Sequence, residues 1–382
     1  MTIDSPMELL SGLSPEKFMK QHWQKKPLLI RQAIADFKPL VDRSELFALA
    51  GQEDVQSRLV IKTESIQPGW KLKHGPFSRR SLPSLKTSGW TLLVQSVDSY
   101  NDKVHELLNK FRFIPAARLD DVMISFASHG GGVGPHFDSY DVFLFQASGQ
   151  RRWRIGRSED LSHAPDLPLK ILNKFVPEHE YVLDPGDMLY LPPLWAHDGE
   201  AIGECMTYSI GFRAPQRLEL VSELIQRMAD SAIDIADFDW YRDPNQRAVA
   251  SSAELPTELV NFAAHSLEKA VANTELLSRA LGEYLTEPNA TTIFERSVLV
   301  SNYRLDKLKD IKGIQLNRKT KMLFDRRHIF INGESFVVSG ADAKLLQQLA
   351  NKRNLDHRNF LKLSINAKDI VNEWRSFGWI SY

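Results

Sequence analysis

The chain carries a single cysteine, Cys205, among 382 residues. That excludes an intramolecular disulfide and any cysteine-cluster metal site, and it suits a reducing compartment. There is no excess of either charge, because 48 lysines and arginines face 48 aspartates and glutamates. Net charge therefore supplies no general attraction to nucleic acid or to an anionic membrane, and any such contact would have to be local. Long apolar runs are missing as well. The first ten residues show no basic segment followed by an apolar core, and no stretch approaches the length needed to span a bilayer. Internal repeats and low-complexity tracts are also absent. These absences point to a cytoplasmic protein without membrane association and without a strong nucleic-acid signal.

What remains is ordinary globular material, 43% hydrophobic and 25% charged, long enough for two or three domains. Ser14 and Pro15 read as the cap and first residue of a helix that buries Phe18, Met19 and Trp23 and stops before Pro27. A short strand at 28–30, a helix at 44–50 and a strand at 58–61 follow. Residues 67–84 read as irregular, up to the apolar run 90–94. Residues 102–111 have helical spacing, and 121–126 form a strand leading into Gly130–Gly134. Residues 147–150 read as a turn that brings 151–155 back as a hairpin partner. Pro185-Gly186 reads as a second hairpin turn, between 181–183 and 188–193, and 206–212 closes the region. Many short strands with frequent turns predict a small barrel or jelly roll.

At Pro215 the pattern becomes helical, with Leu218, Val221, Leu224, Ile225 and Met228 on one side and further helix over 259–285. A polar loop is expected over 237–255. Near Pro288 it changes again, to short strands with an Asn332-Gly333 hairpin and helices over 343–350 and 367–374. The predicted domains are 1–215, 216–290 and 291–382, the last a small α+β module of winged-helix type.

Chemistry concentrates where the glycine run meets His136-Phe137-Asp138. On a strand, residues two apart share a face, so His136 and Asp138 can reach one point. Imidazole and carboxylate suit Fe(II) or Mn(II). His197, behind the turn Pro192-Pro193, supplies a third ligand. Two histidines and a carboxylate with open positions are the donor set of non-haem Fe(II) oxygenases. His129 adjoins the glycine loop but is a poorer ligand. The glycines do not make a phosphate cradle, because no Gly-Lys-Ser/Thr ending follows and they lead into a strand. Trp153, Trp195 and Tyr190 read as barrel packing. Tyr140 and Asp141 flank the ligands, and their alternating parity lets only one of them face the pocket.

Residues 121–212 resemble the JmjC, cupin-type 2-oxoglutarate oxygenases. The likeness is carried by His136-Phe137-Asp138, Gly149-Gln150-Arg151-Arg152-Trp153 and Pro192-Pro193-Leu194-Trp195-Ala196-His197. More narrowly, Gly130 to Pro135 with Tyr140-Asp141-Val142-Phe143, and Val55-Gln56-Ser57-Arg58-Leu59, resemble the bacterial ribosomal oxygenases. Those enzymes act on an arginine of the sixteenth large-subunit ribosomal protein. The resemblance implies a double-stranded β-helix with flanking helices, and an iron centre of His136, Asp138 and His197. It implies 2-oxoglutarate as cosubstrate, held by Arg151 with Ser125, and dioxygen as oxidant, with succinate and carbon dioxide released. Thr207 would lie near the cosubstrate, and Arg152 and Arg154, of opposite parity to Arg151, would face elsewhere. The helical region would form a homodimer. Alternatives are the same chemistry on histidine, lysine, methylated lysine or a small molecule, and a non-catalytic cupin with a nucleic-acid-binding winged helix. The intact ligand set and Arg151 argue against the last.

Overall fold

The computed structural model describes residues 2–63, 69–230, 240–249, 253–296 and 313–382. The chain separates into two compact units, Met1–Ala214 and Pro215–Tyr382.

In the first unit, helix α1 (Pro15–Gln21) begins where the Ser14 hydroxyl accepts a hydrogen bond from the Lys17 N–H, and Pro15 needs no amide partner there. Next come β1 (Leu28–Ile30), α2 (Arg43–Leu49), β2 (Ser57–Lys62), β3 (Trp70–His74), β4 (Trp90–Val94) and α3 (Asp102–Asn109). Strands β5 (Leu119–Ala127), β6 (Val142–Arg157), β7 (His179–Leu183), β8 (Met188–Leu191) and β9 (Trp195–Phe212) complete the unit. The strands pair antiparallel in the order β1-β8-β6-β9-β5-β4-β2-β3, with β7 also on β6.

Two long strands, β6 of 16 residues and β9 of 18, give this sheet its shape. Their register shifts between Gln146 and Ser148 and again between Ser148 and Gln150. Before the bulges β6 pairs with β8 and the end of β9; beyond them it pairs with β7 and the beginning of β9. Bulges bend a strand and increase its twist, so β6 and β9 serve both walls of a jelly roll. Two expected hairpins are corrected here. Residues 147–150 are a bulged continuation of β6, and Gly149, at φ +62°, supplies a bulge where it reads as a turn. Asp184–Asp187 does turn, but β7 and β8 pair with different stretches of β6 and not with each other. Strand β3 lies within the stretch expected to be irregular. Its Lys71, Lys73 and His74 hide the β signal because it is an edge strand, where exposed charge is favoured.

The main core alternates with the site-facing side of the sheet. On β5, Val122, Ile124 and Phe126 are buried in the main cluster, where the fully buried Phe18, Phe111, Phe143 and Phe212 also pack, each side chain contributing about 1.5–3 kcal/mol. Met123 and Ser125 then point to the opposite face.

The second unit opens with α4 (Arg217–Asp230), α5 (Thr257–Val271) and α6 (Thr274–Thr286), the last started by the Asn273 side chain accepting from the Leu276 N–H. Part of the loop expected over 237–255 lies outside the described residues; residues 240–249 form neither helix nor strand. Strands β10 (Gly313–Leu316), β11 (Met322–Phe324), β12 (His328–Ile331) and β13 (Glu334–Val337) follow. Then come α7 (Gly340–Lys352), β14 (Asn354–Asp356), α8 (His357–Leu361), α9 (Ile365–Ser376) and β15 (Ile380–Ser381). Asn332 and Gly333, at φ +48° and +90°, make the two-residue turn of the expected hairpin. The sheet β14-β10-β15 and helix α8 are additions to the sequence reading. Together these elements form a winged-helix module around Leu346, Phe360, Val371 and Trp374. Among the described residues no helix is long and apolar enough to cross a membrane.

Candidate metal and cosubstrate site

His136 and Asp138 do not lie on a regular strand; β6 begins only at Val142. Residues 130–136 instead run beside the first half of β9. Gly130 N–H donates to the Ala201 carbonyl, and His136 and His197 exchange both backbone hydrogen bonds, at 3.0 and 2.8 Å. The glycines permit this approach. A Cβ on Gly132 would stand 2.5 Å from the Gly199 carbonyl oxygen. The structure does bring together the pair that the spacing argument picks, but the backbone that presents it is an irregular segment held by a two-residue bridge.

Ligand atoms of His136, Asp138 and His197 lie within 4.8 Å of one another. His136 Nδ1 is 2.9 Å from the Gly134 carbonyl and His197 Nδ1 is 3.0 Å from the Trp195 carbonyl. A carbonyl can only accept, so both Nδ1 atoms carry the proton and both Nε2 lone pairs are left for a metal. Burial, reinforced by neighbouring His136, pushes the His197 imidazole down to about 4. It is therefore neutral at physiological pH, as a ligand must be. The donor set suits Fe(II).

Arg151 follows the bulges and is buried. It lies opposite Ala201 and His197 lies opposite Ile155, so both point to the same face. Trp153 stands between them, its ring 5.8 Å from His197 and 5.6 Å from the Arg151 guanidinium. Nε and Nη2 of Arg151 and Nε1 of Trp153 are buried with no hydrogen-bond partner among the described residues. A buried guanidinium without an acceptor is costly, and a carboxylate is the group its fork fits. Arg152 and Arg154 do face elsewhere, where they pair with Glu180, and Arg154 also with Asp198 and Glu200. Ser125, Thr207 and Gln146 sit side by side across β5, β9 and β6. The Thr207 hydroxyl donates to Gln146 Oε1 at 3.0 Å.

A JmjC domain model matches residues 106–220, and a ROXA-like winged-helix model matches 268–374. The ribosomal protein uL16 3-hydroxylase of Escherichia coli is 37% identical over 284 residues, covering 74% of either chain. The chain belongs to the JmjC ribosomal oxygenases. A probable ribosomal oxygenase of Haemophilus influenzae is 30% identical over 94% of this chain and 91% of its own. Among solved structures, the E. coli ribosomal oxygenase YcfD matches with a TM-score of 0.84 at 29% identity, over 96% of this chain and 97% of that one. A YcfD structure in complex with cobalt and 2-oxoglutarate matches with a TM-score of 0.80 at 30% identity, over 97% and 98%. As a ribosomal oxygenase the chain is a dioxygenase that uses Fe(II), 2-oxoglutarate and dioxygen.

Around this oxygenase site the structure separates the neighbours that sequence parity left open. Asp141 is fully buried away from the ligands, accepting from the Tyr190 hydroxyl at 2.6 Å, from Gln24 at 3.0 Å and from Arg118 at 3.3 Å. Tyr140 stays beside the ligands. Its hydroxyl bonds Asp138, and burial together with Asp138 and Asp121 pushes the phenol above its ordinary value, while Arg58 pulls the other way. His129 accepts from the Gly203 N–H, a turn contact and not a ligand role. Tyr190 is core, and Trp195 packs, partly buried, against a second apolar cluster of the barrel that includes Trp153 and Ile155, with Arg157 5.4 Å from its ring. The part of Trp153 beside Arg151 was missed. Its position two residues after Arg151 on one strand is the signal that could have found it.

Proposed function

We propose that the chain hydroxylates an arginine side chain of the large-subunit ribosomal protein uL16, with succinate and carbon dioxide as the other products. In this reading His136, Asp138 and His197 hold Fe(II), and Arg151, assisted by Ser125, holds 2-oxoglutarate. The observation that carries it is the Arg151 guanidinium, whose Nε and Nη2 are buried without a hydrogen-bond partner among the described residues, on the face that His197 shares. When bound, Fe(II) with 2-oxoglutarate and dioxygen supplies an oxidant able to hydroxylate an unactivated carbon.

The protein's own part is orientation. Both imidazoles are fixed in the tautomer that presents Nε2, and Arg151 offers two parallel N–H groups to the far carboxylate of the cosubstrate. The indole of Trp153 covers this pair and shields it from water. Tyr140 hydrogen-bonds Asp138, and Asp121 adds a negative charge that acts on Tyr140. A guanidinium is the side chain such a mouth attracts, and this favours arginine over a neutral target. The ribosomal protein is favoured by the name of the E. coli relative, a uL16 3-hydroxylase.

The same reading includes a cytoplasmic homodimer of chains organised as 1–215, 216–290 and 291–382. Helix α5 has no buried residue, and Leu267 and Val271 on it, like Leu218 and Ile225 on α4, are exposed. Faces of that kind are covered by a second copy in many oligomers.

The test combines the reduced protein with Fe(II), 2-oxoglutarate and a uL16 fragment and looks for a one-oxygen mass gain on arginine. Asp138→Ala should abolish it with little change in melting temperature. Turnover of 2-oxoglutarate without any oxygen gain on uL16 would move the function to another substrate. A wild-type chain that binds no Fe(II) would leave only a binding role.

A further inference from the structure

The run Val55-Gln56-Ser57-Arg58 has no part in the metal and cosubstrate site, yet the sheet register connects it to that site. Arg58 lies opposite Leu93, Leu93 opposite Ser125, Ser125 opposite Thr207, and Thr207 opposite Gln146. Directly opposed residues share a face, so one row of side chains runs from Gln146 across the site to Arg58. Arg58 is two strands beyond Ser125, roughly 10 Å along that face. There it lines a cleft of about 530 Å³ with Glu53, Gln56, His74 and Gln95. Val55 and Ser57 are buried, whereas Gln56 and Arg58 are exposed, so the alternation turns the two polar side chains into the cleft.

Arg58 forms no ion pair among the described residues. Its Nη2 donates to Gln95 Oε1 at 3.3 Å and lies 3.9 Å from Met123 Sδ. Gln95 in turn donates to Asp121 Oδ2 at 3.3 Å, and Arg58 acts electrostatically on Tyr140, which touches Asp138. Arg58 and Gln95 thus link the cleft to the residues beside Asp138.

We propose that this cleft docks the extended main chain of the polypeptide substrate beside the residue being hydroxylated, with Arg58 donating to a backbone carbonyl there. The proposal rests on the reading of the substrate as a protein. Two features favour a polypeptide. A small molecule seated at the metal would not extend 10 Å past Ser125. A main chain offers one donor and one acceptor per residue, and the amides of Gln56 and Gln95 can match both. Arg58 meets no carboxylate among the described residues, and a backbone carbonyl of the substrate is a neutral acceptor that its guanidinium can reach without competing for the target side chain.

The test measures hydroxylation of the uL16 fragment by wild type, Arg58→Gln and Gln56→Trp, the last filling the cleft from an exposed position. Both variants should raise KM for the fragment about tenfold or more, with a much smaller change in kcat and no change in KM for 2-oxoglutarate. If one variant melts early, the other decides. Wild-type KM for the fragment in the folded variants overturns the cleft while leaving the proposed function standing. A wild-type chain that hydroxylates no ribosomal protein overturns both.

Discussion

Arg151 places a positive charge inside the jelly roll, and two of its nitrogens have no acceptor among the described residues. Such a group lowers the stability of the ligand-free protein and is compensated only when an anion arrives. Arg151→Met should therefore leave the melting temperature without cosubstrate unchanged or raise stability by about 1–3 kcal/mol. The same variant should weaken 2-oxoglutarate by about 3–5 kcal/mol, read as KM or as the lost thermal shift on adding it. Asp98 is a second buried charge of opposite sign. Burial and neighbouring Asp121 push its carboxyl up to about 7, against the hydrogen bond it accepts from Val122 N–H. A carboxyl raised in the folded state binds its proton more tightly there than in the unfolded chain. The folded protein accordingly loses stability as pH climbs from about 4 to 7 and stays lower above that. Asp98→Asn keeps an acceptor for Val122 and has no proton to lose. Its advantage in urea melts should be near zero at pH 4, grow through pH 7 and level off at about 2–4 kcal/mol.

At the scale of elements, the facing stretches of β6 and β9 set the distances within the site. Gly199 lies opposite Trp153, and a Cβ on it would stand 2.6 Å from the indole ring. Gly199→Ala must displace the ring that separates His197 from Arg151. It should cost about 1–3 kcal/mol in a thermal melt and weaken 2-oxoglutarate as well, whereas a merely local clash would do only the former. Elements also show where the sequence was readable. Two-residue alternation separated Arg151 from Arg152 and Arg154, because all three stand in a strand where that period holds. The bulged turn at Gly149 was misread because a glycine at positive φ serves a hairpin and a bulge equally well. The His136-Phe137-Asp138 spacing was legible as a motif although its strand was not, since pairing of His136 with His197 is a contact between distant parts of the chain.

For the molecule as a whole, each site residue named above lies in Met1–Ala214, which has a core of its own. The winged-helix module has a separate core around Trp374. A chain ending at Ala214 should consequently fold and show a thermal shift with 2-oxoglutarate in the presence of Mn(II), measured beside the full chain. If it aggregates or shows no shift, the second unit is part of what keeps the first one folded. A change of pattern was readable at Pro215, where the two compact units divide. The edge strand β3 and the short helix α8 were not, because charged edges and five-residue helices leave little periodic pattern.

The two backbone hydrogen bonds between His136 and His197 mean that the imidazoles cannot part without breaking the bridge that aligns them. Asp138 is held differently, its side chain by the Tyr140 hydroxyl and its carbonyl by Leu194 N–H. If these three residues hold a metal, the carboxylate would be the ligand able to move, once its hydrogen bond to Tyr140 is broken, because the two imidazoles are tied through the backbone. A paired imidazole chelate follows the Irving–Williams order and prefers nickel and copper to iron. Two imidazoles and a carboxylate would therefore leave the identity of the ion to supply, and nickel carried over from an affinity column would compete with Fe(II) for such a site.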